Sequence, residues 1–145
     1  MTQKDKKLLL KELCARLPYG VKIELTNNGY HHENIAKRGD KTIDTLKGFT
    51  GKYFTIHHDN PLDWDWADNE IEVEDIKPYL FPMESMNNRQ KKYLDTLMER
   101  TDVYDLCEVL SPTEEYFDWL NEKHFDYRGL IEKDLAIDAT GKQIY

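Results

Sequence analysis

Residues 71–83 constrain the fold most, because the spacing of apolar residues changes there from a strand period to a helix period. At its start, Ile71 and Val73 alternate with two glutamates, which is the period of two expected of a strand with one buried face. Two prolines follow, and proline cannot donate a hydrogen bond to a neighbouring strand. The sequence therefore predicts that residues 77–83 form an edge strand or an extended crossing, not a central strand.

Ahead of this segment, the sequence predicts one helix and a small β unit. Thr2 and Asp5 have the spacing of a capping box, and leucines recur at helical spacing after them, so a helix is expected over residues 3–16. Strands are expected at residues 21–25 and 52–58, where β-formers and alternating apolar residues lie between turn signals. These features predict a small antiparallel sheet or a partly open barrel of SH3-like size.

Beyond Met83 the apolar residues recur with a helical period, which predicts two to three helices. Ser85 is the predicted N-cap of the first of them, and Ser111 with Pro112 has the pattern that opens another. The length of the chain favours one domain of the α+β class over residues 1–145. Its predicted parts are a helix in residues 1–18, a β unit in residues 19–83 and a helical part in residues 84–145.

Charge is distributed unevenly along the chain, whose formal net charge is −8. Residues 53–76, which we call the acidic block, contain eight Asp and Glu and no Lys or Arg, whereas residues 1–52 carry 11 Lys and Arg against 6 acids. The block also contains two tryptophans. Tryptophan anchors protein interfaces and carboxylates steer encounter with basic surfaces, so we expect a loop that binds a basic protein; the alternative is a solvated loop. The predicted partner-binding residues are Asp63, Trp64, Asp65, Trp66, Asp68, Glu70 and Glu72.

Histidine pairs offer a second kind of site. His31, His32, His57, His58 and Asp59 can supply imidazole and carboxylate ligands to a transition metal if their segments are adjacent. Neighbouring strand residues face opposite sides, so one histidine of each pair at most can join a site. The candidate ligands are therefore His31, His57 and Asp59, although no metal-binding motif accompanies them and we expect neither a metal nor another cofactor.

Nucleic-acid binding is a third possibility. Lys and Arg side chains within residues 37–52, together with Tyr53 and Phe54, offer a basic surface with rings that can stack on bases. The net charge of −8 opposes binding to a polyanion. We therefore expect nucleic acid not to be the partner.

Four polar residues after the last predicted helix are candidates for acid–base chemistry: His124, Asp126, Tyr127 and Arg128. We favour the alternative that Arg128 pairs with Asp126 or caps carbonyl groups while Tyr127 packs. The sequence contains no phosphate-binding glycine motif and no Gly-x-Ser-x-Gly or Cys-His nucleophile signature. Cys14 and Cys107 lie among leucines at helical spacing, which indicates buried thiols.

Three segments in combination resemble a group of small uncharacterised proteins of bacteriophages and mobile elements of gut bacteria. They are residues 8–20, residues 76–83 with the sequence Lys-Pro-Tyr-Leu, and residues 118–131 with Phe-Asp-Tyr-Arg-Gly-Leu-Ile. The resemblance implies phage accessory biology, in which small proteins commonly bind and disable host machinery. No assigned activity comes with it, and the histidine pairs and residues 63–68 depart from the group.

We therefore expect a non-enzymatic phage-type accessory protein that binds a host protein through the acidic block. Its expected target is a host defence or nucleic-acid-handling component. No apolar run approaches the roughly 20 residues that span a bilayer, and no signal-peptide pattern is present, so the cytoplasm of the host cell is the expected compartment. The alternatives are a metal- or nucleotide-binding module or hydrolase that uses the histidine pairs, and a small RNA- or DNA-binding barrel.

Overall fold

A computed structural model describes residues 1–26, 43–58, 71–99 and 112–145. Within these ranges the chain forms three α-helices, six strands and several 3-10 turns. The helices are α1 (Gln3–Arg16), α2 (Asn88–Glu99) and α3 (Pro112–Glu122). The strands are β1 (Lys22–Leu25), β2 (Ile43–Phe49), β3 (Phe54–His58), β4 (Ile76–Pro82), β5 (Phe125–Asp126) and β6 (Ile137–Asp138). The predicted α+β class is confirmed.

The strands form one mixed, open sheet that does not close into a barrel. Four strands are antiparallel in the order β3-β2-β1-β4, and β5 and β6 both pair parallel with β4. β2 and β3 form a hairpin around Thr50 and Gly51. β5 and β6 were not predicted, because a strand of two residues is too short to show a period.

β4 is a central strand, so the prediction of an edge strand for residues 77–83 is wrong. It pairs with β1 at Ile76–Pro78, with β6 at Tyr79 and Leu80, and with β5 at Phe81 and Pro82. The Thr26 N–H donates to the Asp75 carbonyl at 2.8 Å, so the backbone groups of Asp75 point toward β1. Every second residue of a strand points its backbone groups to the same side, so those of Lys77 and Tyr79 also point toward β1 and those of Pro78 do not. Pro78 therefore turns its nitrogen away from β1, and parallel pairing on the other side begins only at Tyr79. The missing N–H removes no bond to β1.

The alternating segment before β4 is not a regular strand. Ile71 pairs with Phe54 through an isolated bridge, and Val73–Asp75 form a 3-10 turn. Ile71 and Val73 are nevertheless buried, whereas Glu72 and Glu74 are exposed. The period of two thus predicted which side chains are buried but not the backbone conformation.

Helix starts follow local side-chain hydrogen bonds. The capping box predicted at Thr2 and Asp5 is present at the start of α1. Ser85 does not cap α2; instead the Asn87 and Gln90 side chains each accept the other's backbone N–H at 2.9 Å. A second reciprocal pair therefore replaces the predicted cap two residues further along. None of the helices in the described ranges is long and apolar enough to cross a membrane.

Two apolar clusters join the helices to the sheet. The first packs α1 on the sheet and contains these buried side chains: Leu9, Leu13, Val21, Ile23, Leu46, Phe54, Ile56, Ile71, Ile76 and Leu80. The second packs α2 and α3 near β4 and β5, with these buried side chains: Met86, Leu94, Leu97, Leu120 and Phe125. Each large aliphatic side chain removed from water contributes about 1.5–3 kcal/mol, so these clusters supply most of the driving force for folding.

A buried ion cluster ties α1 to the segment that follows α3. Arg16 is 0% exposed and Glu12 is 1% exposed. The Arg16 guanidinium donates to the Glu12 carboxylate and, at 2.8 Å, to the Phe125 carbonyl. Arg128 Nε lies 2.5 Å from the second oxygen of Glu12, an ion pair whose N–H is not directed along the contact. One carboxylate therefore forms ion pairs with two guanidinium groups.

We expect Glu12→Ala to lower the free energy of unfolding by about 3–5 kcal/mol, because removal of one partner leaves a buried charge uncompensated. Urea unfolding followed by circular dichroism measures the change. Glu99→Ala, which removes an exposed carboxylate from α2, is the control and should change stability by less than about 0.5 kcal/mol. Equal effects of the two substitutions would contradict the role given to Glu12.

Candidate functional site

The acidic block is joined to the sheet at both ends. The chain leaves β3 after His58 and returns at Ile71, whose backbone exchanges two hydrogen bonds of 2.8 and 3.0 Å with Phe54. Phe54 and Ile71 are both 0% exposed, and β3 lies at one end of the strand order. The block therefore contains β3, an outer strand of the described sheet, and the point at which it returns to the described chain, Ile71, is hydrogen-bonded to that strand.

Of the predicted partner-binding residues, only Glu72 belongs to the described part of the chain, and it is exposed. The others lie outside the described residues: Asp63, Trp64, Asp65, Trp66, Asp68 and Glu70. Beyond Glu72, the Glu74 carboxylate forms an ion pair with Lys6, which lowers the pKa of Glu74. Asp75 accepts a hydrogen bond of 3.2 Å from the Thr26 hydroxyl. The acids nearest β4 thus have intramolecular partners.

The predicted metal ligands are not brought together by any described contact. His31 and Asp59 lie outside the described residues, and His57 is described only through its backbone in β3. Within the described ranges, no group of three or more His, Cys, Asp or Glu side chains is arranged to hold a metal ion. Cys14 is half-buried, and burial raises the pKa of its thiol, which opposes nucleophilic reactivity; Cys107 lies outside these ranges.

Phe54 cannot stack on a nucleobase, contrary to the prediction for the basic surface. It is 0% exposed and packs against Phe49, with 4.7 Å between ring centroids. Tyr53 is half-buried, and the Lys52 amine lies 4.4 Å from its ring centroid. The basic residues at positions 37–41 lie outside the described residues.

The polar residues predicted after α3 have structural partners. Asp126 accepts backbone hydrogen bonds from Leu130 and Ile131 at 2.9 and 2.8 Å, which fixes the turn after β5. Arg128 pairs with Glu12 rather than with Asp126. The Tyr127 ring lies 5.4 Å from the Arg16 guanidinium carbon and 5.1 Å from that of Arg128. The predicted packing of Tyr127 and pairing of Arg128 are therefore observed, with a different carboxylate.

His124 reverses the chain at the end of α3. Its φ is 58°, a left-handed conformation that is uncommon for residues other than glycine. The carbonyl of His124 accepts a hydrogen bond of 2.9 Å from the Phe81 N–H of β4, so the reversed backbone is fixed to the sheet. The side chain is 7% exposed.

The imidazole of His124 stacks on Tyr145, with 4.2 Å between centroids and 18° between planes. The Tyr145 hydroxyl donates to the Tyr79 carbonyl at 2.7 Å and accepts the Lys22 N–H at 3.1 Å. Lys22 and Tyr79 stand opposite each other if the β1–β4 register, Ile23 against Pro78, continues by one residue. The Tyr145 hydroxyl thus links β1 and β4 at the position where the next backbone hydrogen bond between these strands would form. Although the whole residue is 48% exposed, burial of its hydroxyl raises the pKa of Tyr145.

A cavity of about 410 Å³ opens beside this stack, and we call it the His124 cavity. Its lining residues are Phe81, Ser85, Gln90, Glu122, Lys123, His124, Phe125 and Tyr145. Half of these side chains are aromatic, and small-molecule sites of about 300–1,000 Å³ commonly combine aromatic walls with a few polar groups. The cavity has the dimensions and composition of a site for a small molecule.

His124 is neutral in this site at pH 7. Burial, with a smaller contribution from the positive charge of Arg16, lowers the pKa of its imidazole to about 4. Its Nδ1 is buried without a hydrogen-bond partner. Because a base with so low a pKa accepts protons poorly at neutral pH, the ring is better suited to binding than to acid–base catalysis.

Sequence reasoning identified His124 but missed Phe81, Ser85, Gln90 and Tyr145 as neighbours of one site. These residues lie on separate elements and follow no common spacing. Only the parallel pairing of β5 with β4, with Phe81 opposite Phe125, brings them together. The sequence contains no signal for that pairing.

We expect His124→Asn to remove a pH-dependent contribution to stability. The unfolded imidazole binds a proton near pH 6.5, whereas the folded one does so only near pH 4, so wild-type stability falls as the pH drops between these values. The contribution is at most on the order of 3 kcal/mol. Urea unfolding at pH 7 and at pH 4.5 measures it in both proteins.

Asparagine is the matched substitution because it tolerates the left-handed conformation and does not titrate. The change in the free energy of unfolding between pH 7 and pH 4.5 should be smaller for His124→Asn than for the wild type, since the other titrating groups are common to both proteins. An identical pH dependence would contradict a depressed pKa at His124.

We expect Tyr145→Phe to lower the free energy of unfolding by about 1–3 kcal/mol, because it deletes the hydroxyl that bridges β1 and β4 while keeping the stacked ring. Hydrogen exchange of the Lys22 amide should accelerate more than that of β2 amides. Urea unfolding and amide exchange by NMR measure these effects. Unchanged Lys22 exchange would contradict the bridge.

No family model matches the chain, and neither a curated protein nor a solved structure matches it significantly. The function is therefore inferred from the chemistry and geometry of this chain.

Proposed function

We propose that this protein is a non-enzymatic accessory protein that binds a basic surface of a host protein through the acidic block. The observation that carries the proposal is the concentration of eight carboxylates and two indoles, without Lys or Arg, in residues 53–76. Indoles contribute large buried area at interfaces, and carboxylates accelerate encounter with a cationic partner. Together they favour a docking segment for a positively charged protein.

The anchoring of the block supports this assignment. The Phe54–Ile71 bridge ties the chain on both sides of residues 59–70 of the block to β3, and fixed ends reduce the conformational entropy that a binding segment loses on association. Lys6 already neutralises Glu74 at the end nearest β4. We therefore place the partner contact on the part of the block before Glu74, centred on residues 63–72.

The resemblance to phage and mobile-element proteins supplies the setting of the proposal. Small proteins of that kind commonly act by occupying a functional surface of host machinery. Defence enzymes and nucleic-acid-handling proteins present basic surfaces, because they contact polyanions. An acidic segment can compete for such a surface, so we propose a protein of this class as the target.

We expect the double substitution Trp64→Ala and Trp66→Ala to reduce recovery of the partner at least about tenfold, since hot-spot tryptophans each contribute about 2 kcal/mol or more. Immobilised protein is incubated with bacterial lysate, and bound proteins are quantified by mass spectrometry. Asp63→Ala with Asp65→Ala should weaken recovery and flatten its decrease with added salt, because screening then acts on fewer charges.

Asp95→Ala with Glu99→Ala is the matched control, because it removes two exposed carboxylates from α2 and leaves the block intact. Recovery by this control should stay within about twofold of the wild type, as expected for charges away from an interface. Urea unfolding establishes that each variant is folded. Wild-type recovery by the folded tryptophan variant would overturn the proposal.

A further inference from the structure

We propose that the His124 cavity binds a small, uncharged, planar heteroaromatic molecule of about nucleobase size. This inference does not rest on the acidic block. β3 and its bridge to Ile71 flank residues 59–70 of the block, whereas the cavity is lined by residues of β4, β5, the end of α3 and neighbouring segments, and β3 and β5 lie at opposite ends of the strand order. The described attachment points of the block and the lining of the cavity therefore lie on different strands.

Aromatic side chains form the walls of the cavity. Tyr145 stacks on His124 and meets Phe81 at 5.7 Å between centroids, and Phe81 meets Phe125 at 6.2 Å. The Phe125 ring is held from behind by Trp119, which is stacked on it at 5.7 Å and 17°. Rings held in this way have little freedom to lose on binding, and flat ligands gain offset-stacked or edge contacts with them.

Two polar side chains of the lining are oriented by bonds to the backbone. The Ser85 hydroxyl donates to the Pro82 carbonyl at 2.7 Å, so its lone pairs can accept from a ligand. The Gln90 side-chain oxygen accepts the Asn87 N–H at 2.9 Å, so its amide nitrogen can donate. The Ser85 oxygen can accept from an amino group of a ligand, and the Gln90 amide can donate to a ring nitrogen. This combination suits the edge of a heteroaromatic ring that carries an amino group.

The charges of the lining favour an uncharged ligand. Glu122 and Lys123 form an ion pair with each other, at 2.5 Å. His124 adds a neutral imidazole whose Nδ1 is buried without a partner. The cavity thus presents no unbalanced charge for a phosphate or carboxylate group.

Titration of the full chain with adenine, followed by two-dimensional NMR, tests the proposal. Adenine should shift the His124 ring and Gln90 side-chain amide signals in a saturable way, with a dissociation constant of about 1 mM or lower. Cyclohexanol, which is uncharged but not planar, should shift these signals at least about tenfold less at the same concentration, because it cannot stack. Absence of saturable shifts with adenine, or equal shifts with cyclohexanol, would overturn the proposal.

Ser85→Trp and Glu84→Trp form a matched pair, because both residues are exposed and adjacent but only Ser85 lines the cavity. Ser85→Trp should weaken adenine binding at least about tenfold by filling the cavity, and Glu84→Trp should leave it within about twofold. Amide spectra establish that both variants keep the fold. Undiminished binding by folded Ser85→Trp would place the adenine elsewhere and overturn the assignment to this cavity.

Discussion

The position of α1 on the sheet depends on one buried carboxylate. A guanidinium that leaves water loses several kcal/mol of solvation unless charge and hydrogen bonds replace it. Arg16 receives both from Glu12 and from the Phe125 carbonyl, and Arg128 shares the same carboxylate. Because the partners of Arg16 come from α1 and from β5, neither element can take its place without the other. The apolar packing of α1 on the sheet and the turn after β5 are thereby coupled.

Several parts of this fold are determined by local sequence. The capping box of α1, the alternation in β1 and the burial of Ile71 and Val73 all follow from contacts within a few residues, and all were predicted. The central position of β4 was not, because a proline excludes a strand from the interior only if its nitrogen faces a partner. The pairing of β4 with its neighbours decides which way the proline nitrogen faces, and this pairing depends on residues far along the chain.

The candidate surfaces differ in the same way. The acidic block is visible in the sequence, because charge and tryptophan content are properties of composition. The His124 cavity is a property of assembly, because β5 must lie parallel to β4 before Phe81, His124 and Tyr145 share one wall. The proposed docking segment and the proposed ligand cavity use different residues, because the segment is attached to β3 and the cavity is lined by residues from Phe81 onward.

The Arg16–Phe125 hydrogen bond joins residues 109 positions apart, and this has a consequence for synthesis on the ribosome. While α1 emerges, its Arg16 has no route to the carbonyl that it needs, and burying the guanidinium early would be unfavourable. Contacts of such long range also slow folding, since the chain loses entropy before they form. We therefore expect α1 to dock stably on the sheet only after β5 has been translated.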